Sequence, residues 1–238
     1  MDTRQMSEAL GLYIRPQTSP LAIRLCRSQS ELPEGAQAPL RDLGYQVTLC
    51  QAYGIARIHG WTLALSNDDQ LCVGGAVALG FAAEVPQGLP FPPIPAERRL
   101  EVGTYSHVVM APLETVTFEP EVLAIWGNPA QVCRLVQAAL WKGQPFSTNI
   151  AQPAACGAIV ARTVTSDECQ FILSCGGDRF YAGEQDHEVV FTIPWGKVDA
   201  VLQGLEDTRK MGFGGYPTPV GITQRPTLPS MLEVPRAA

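Results

Sequence analysis

Val122-Leu-Ala-Ile-Trp126 followed by Gly127-Asn128-Pro129 reads as a buried strand that turns directly into a helix. The unbroken apolar run suits a strand covered on both faces. Asn128 can cap a helix, and Pro129 fits the first helical position, where a backbone N–H would have no partner. Val132, Leu135, Val136 and Leu140 continue as an apolar stripe at helical spacing, with Cys133 inside the same helix. Near the N-terminus, Pro20-Leu-Ala-Ile-Arg-Leu-Cys26 carries the same Leu-Ala-Ile core.

Working outward, strands are predicted over 62–66, 106–111, 171–174 and 189–193, and helices over 3–13, 49–57, 74–81 and 194–210. Alternating strands and helices predict an α/β fold. The echoes predict two pseudo-symmetric lobes, about 20–83 and 122–186, forming one compact domain over 1–208. Proline-rich residues 82–98 read as an exposed loop, and 209–238 as an extended or partly disordered tail.

The second echo involves cysteine. Cys50 precedes Cys72 by 22 residues, and Cys156 precedes Cys175 by 19. Cys50-Gln-Ala-Tyr-Gly-Ile-Ala-Arg57 matches Cys156-Gly-Ala-Ile-Val-Ala-Arg162 with one residue's difference. Cys72 and Cys175 are each followed by glycines, Gly74 and Gly75 in one case and Gly176 and Gly177 in the other. Each then reaches a further glycine eight residues on, Gly80 and Gly183. Two copies of one device packed about an axis bring four thiolates together. Cys26, Cys133 and Cys169 have no counterparts and read as packing residues.

Composition narrows the chemistry. The chain has 238 residues, 46% of them hydrophobic and 17% charged, with a net charge of -6. Phosphate binding needs a concentrated basic surface, so a nucleic-acid partner is not expected. The longest apolar stretch, roughly Leu71 to Val85, is broken by glycines and falls short of the ~20 residues of a membrane span. Met1 to Glu8 lacks an apolar core, so no secretory signal is expected and the location reads as cytoplasmic. There, seven cysteines stay reduced.

Leu49-Cys-Gln-Ala52, Cys72-x-Gly-Gly-x-x-x-Leu-Gly80, Ala111-Pro-Leu113, Phe118-Glu-Pro120, Gly127-Asn-Pro-Ala-Gln131, Leu135-Val-Gln137, Ala155-Cys156 and Cys175-x-Gly-x-Arg179 occur in this order. Together they resemble the prokaryotic domain of unknown function 169 family over roughly residues 5–208. Val73 departs from it, standing where the family often has proline. The resemblance implies that Cys50, Cys72, Cys156 and Cys175 act as a unit, and brings no activity with it.

Structural zinc usually takes close C-x₂₋₄-C pairs, whereas these cysteines are widely spaced. Wide spacing with adjacent glycines suits a [4Fe–4S] cluster, whose sulfides accept backbone N–H bonds. The expected function is therefore iron–sulfur binding with a redox or lyase-type role, toward a small-molecule substrate or an electron-transfer partner. The alternative is a non-catalytic module holding zinc or a small ligand. Arg57, Arg162 and Arg179 follow proposed ligands, and Arg179 is the foremost candidate for contact with the cluster or a carboxylate. No histidine is tied to a cysteine by motif, and no Ser-His-Asp order, Walker loop or dinucleotide fingerprint is legible.

Overall fold

In chain order, the computed structural model, which describes residues 2–149, 154–212 and 215–217, begins with α1 (Thr3–Tyr13), β1 (Leu21–Cys26), α2 (Pro39–Asp42), α3 (Leu49–His59), β2 (Leu63–Leu65), α4 (Val73–Ala78) and β3 (His107–Pro112). The second half contains β4 (Val122–Gly127), α5 (Pro129–Trp141), β5 (Phe146–Asn149), α6 (Ala155–Ser166), β6 (Cys169–Ile172), α7 (Gly176–Tyr181), β7 (Val189–Pro194) and α8 (Val198–Lys210). All strands belong to one seven-stranded sheet of order β2-β3-β1-β4-β7-β6-β5.

The sheet is covered on both faces because side chains alternate along each strand. Leu21, Ile23, Val122, Ala124 and Trp126 face a core shared with α3 and α6. Ala22, Leu123 and Ile125 face the opposite core, built with α1, α5 and α8. This is a three-layer mixed α/β fold, as the alternating pattern predicted. The strands run antiparallel through β2-β3-β1 on one side and through β6-β7-β4 on the other. The halves meet where β1 pairs antiparallel with β4, through Leu21–Ala124, Ala22–Leu123 and Ile23–Val122. The edge strand β5, parallel to β6, was missed in the sequence because Phe146–Asn149 is short and polar.

α5 begins as its sequence dictates. The Asn128 side chain accepts from the Gln131 N–H at 3.0 Å, and Gln131 accepts from the Asn128 N–H at 2.8 Å. Val132 and Leu135 of the expected stripe join Ala138 and Ala139 in the core shared with α8, whereas Leu140 is exposed, and Gly204 of α8 lies so close that an added Cβ would stand 2.3 Å from the Ala138 carbonyl oxygen. Helical Gly→Ala normally stabilises by about 0.5–1 kcal/mol. Here the sign should reverse: Gly204→Ala is expected to destabilise by about 1–3 kcal/mol in urea unfolding, the cost of overpacking. A stabilised variant would show that the two helices sit further apart.

Residues 82–98 are tied to α4, since Ile94 packs with Val77 and Ala78. The expected tail begins inside α8, which runs to Lys210. Tyr216 accepts a hydrogen bond from the Asn128 amide at 2.7 Å, and the tail from 218 onward lies outside the described residues. No helix among the described residues is long and apolar enough to cross a membrane.

Candidate metal centre

Each cysteine of the quartet stands at the start of a helix. Cys50 and Cys156 are the second residues of α3 and α6, while Cys72 and Cys175 cap α4 and α7. The first turn of a helix presents N–H groups without intrahelical partners, and its partial positive charge favours a thiolate over a thiol.

The structure brings two of them into direct contact across the halves. One ligand atom each from Cys50, Cys156 and Asp178 lie within 4.8 Å of one another, all on buried residues. Cys175 adjoins this group: a Cβ on Gly177 would stand 3.6 Å from the Cys175 sulfur and 4.0 Å from the Cys50 sulfur. Neither Cys175 nor Cys72 is among the ligand atoms gathered within that distance; Cys175 is buried beside them, whereas Cys72 is only half-buried. α7 lies against α3 because Gly54 leaves room for it; a Cβ there would meet the Ala182 carbonyl at 2.7 Å.

Hydrogen bonds grade the thiols. Thr48 caps α3, accepting from the Gln51 N–H at 3.0 Å, and its hydroxyl lies 3.0 Å from the Cys50 sulfur. Cys50 also lies 3.6 Å from the Gly177 carbonyl. The Cys156 thiol donates to Cys50 and holds it below the usual thiol range, an effect that burial opposes and Thr48 reinforces. Cys156 is pushed well above that range by holding the shared proton, and then by burial. Cys175 is raised by burial and by Asp178. Asp178 is itself raised by burial, while its carboxylate accepts from the Cys175 N–H at 2.8 Å. Thus the surroundings favour the ionised form of Cys50 and disfavour that of Cys156, Cys175 and Asp178.

A polar layer backs the thiols. The Tyr53 hydroxyl donates to the Cys156 carbonyl at 3.2 Å, and its ring tilts against Trp126 at 5.8 Å. Trp126 donates from Nε1 to Glu184 at 3.2 Å, and the Ser174 hydroxyl bonds to the same carboxyl. Burial raises Glu184 to about 7. Arg57 is buried in an ion pair with Glu188 at 3.2 Å and lies over the Trp126 ring at 5.2 Å.

The other residues singled out in the sequence fall in different places. Arg179 donates from Nη1 to the Gln185 carbonyl at 2.5 Å, and Arg162 is half-buried on α6. Gly177 lies beside the sulfurs, while Gly176 has open space where a Cβ would be. Gly74 and Gly75 instead admit neighbours, since Cβ atoms there would stand 2.6 Å from the Phe91 ring and 2.9 Å from the Gln70 amide. Cys26 and Cys169 are buried away from the group, and burial drives Cys169 up to about 12. Cys133 is exposed on α5. Sequence reading missed Asp178, whose legible signal was Cys175-Gly-Gly-Asp178, an N-cap with an acidic residue three positions on.

MJ0308, an uncharacterised protein of Methanocaldococcus jannaschii, is 28% identical over 215 residues, spanning 82% of this chain and 90% of that protein. No solved structure matches the chain. Residues 9–204 match a family described as uncharacterised ArCR. The chain therefore belongs to that family, domain of unknown function 169.

Proposed function

We propose that this protein carries a soft-metal centre on Cys50, Cys156 and Cys175, in the form of a [4Fe–4S] cluster, and uses it in redox or lyase-type chemistry on a small molecule. One observation carries the reading. Thiols from the two halves converge with a carboxylate in a buried pocket, and the cation acting on Asp178, Arg179, is engaged with the Gln185 carbonyl. Ionising these buried thiols and this carboxyl is costly unless a cation joins them, and soft iron prefers sulfur ligands. The starts of α3 and α6 add N–H groups that suit sulfide acceptors. Reduced thiols of this kind fit a cytoplasmic setting.

That the three ligand atoms all lie within 4.8 Å of one another favours a second reading, a single zinc or iron ion. Zinc–sulfur bonds of about 2.3 Å place sulfurs that share one ion about this close. A cluster requires α3, α6 and α7 to draw slightly apart.

Purification of the full chain without oxygen, followed by iron, zinc and acid-labile sulfide determination, separates the readings. Iron with equivalent sulfide and broad absorption near 400 nm is expected for the cluster. One equivalent of zinc or iron without sulfide supports the single ion. Colourless protein that contains no metal and takes up none after reconstitution rejects both.

A further inference from the structure

We propose that the fourth protein ligand of this centre is the Asp178 carboxylate, and that Cys72 is not a ligand. The inference rests on the reading that the thiols hold a metal.

The repeat predicts that all four cysteines converge, and the helices do pair across the halves, α3 with α7 and α6 with α4, but the two pairs dock in different registers. Gly157 at the start of α6 is pressed against the last turn of α4, where its Cβ would stand 2.2 Å from that of Ala78. α6 therefore meets the end of α4 remote from Cys72. On the other side, Gly177 brings the first turn of α7, with Cys175 and Asp178, onto the Cys50 sulfur. Two packings of equivalent helices thus deliver one capping cysteine and leave the other half-exposed.

Asp178 occupies the remaining place. It is 3% exposed and within 4.8 Å of both Cys50 and Cys156. One carboxylate oxygen accepts from the Cys175 N–H at 2.8 Å, which fixes the orientation of the group. Among the described residues Asp178 forms no ion pair with lysine, arginine or histidine. A buried carboxylate in that position is costly unless a cation shares the pocket. The resulting set is three thiolates and one oxygen, a mixed set that thiophilic divalent ions accept.

Cobalt(II), added alone to the reduced full chain, tests this, because thiolate-to-cobalt absorption in the near ultraviolet grows with each sulfur bound. Cys72→Ser is expected to match the parent protein in intensity and affinity. Cys50→Ser and Cys156→Ser should each lose one thiolate's share. Asp178→Asn, which retains the acceptor for the Cys175 N–H, should weaken cobalt binding about tenfold to a hundredfold. Asp178→Cys should add a fourth thiolate's intensity, a gain that misfolding cannot mimic. If Cys72→Ser loses as much as Cys50→Ser, or Asp178→Asn binds like the parent, the ligand assignment is overturned and the metal reading survives. If the parent protein shows no cobalt–thiolate absorption, both fall.

Discussion

Arg57→Ala is expected to lower the free energy of unfolding by about 3–5 kcal/mol, the usual effect of removing one partner from a buried ion pair. The side chains of Arg57 and Glu188 are 1% and 4% exposed, so water does not screen them. Arg57 also donates to Thr18 at 3.1 Å and to the Ala182 carbonyl at 3.4 Å, and its plane covers Trp126. Truncation leaves the Glu188 carboxylate buried beside a cavity. The double replacement Arg57→Met with Glu188→Leu should recover most of the loss, since the pair's attraction roughly offsets its desolvation. Urea unfolding of the three variants provides the measurement. A loss below about 1 kcal/mol for the single variant would mean that water reaches the pair.

The second large effect is a pH dependence centred on Glu184. Burial raises its carboxyl from 4.5 to about 7, against hydrogen bonds from Ser174 and Trp126 that favour the ionised form. Between these values the unfolded chain releases a proton that the folded protein retains. Stability from this group is therefore full below pH 4.5, falls as pH rises toward 7, and levels off above it. At about 1.4 kcal/mol per pH unit the fall amounts to about 3 kcal/mol. Glu184→Gln keeps an acceptor in the same shape and cannot ionise, so its stability should lack this fall. Parallel slopes for the two proteins between pH 5 and 7 would show that Glu184 ionises in the folded state as it does in water.

The fold was legible where local and tertiary preferences agree. Leu21–Ile23 and Val122–Trp126 carry apolar residues on consecutive positions because both faces of the sheet are covered. Asn128-Pro129 announces α5 through capping that needs no distant partner. The cysteine starts of α3 and α6 were legible through the repeat, and their contact is now visible. What the sequence echo does not carry is docking register. Gly157 and Gly54 occupy different positions relative to their cysteines, so α6 and α3 dock on α4 and α7 in different registers. Arg57 stood out only as following a proposed ligand, because its partner, Glu188, lies 131 residues away with no local pattern to reveal it. Glu184 escaped notice because a lone glutamate carries no sign of burial. Only the Trp126 indole and the Ser174 hydroxyl, brought near by the sheet, distinguish it.

The contact between Cys50 and the α7 segment spans 127 residues, and this separation sets a timetable for biosynthesis. A ribosome adding about 5–20 residues per second exposes the Cys50 thiol roughly 6–25 seconds before Gly177 and Asp178 exist. For most of that interval α3 offers a thiol at its start with neither Cys156 to share a proton nor α7 to shield it. Incorporation of the metal we propose is thus a late event, belonging to the chain after α7 has been made.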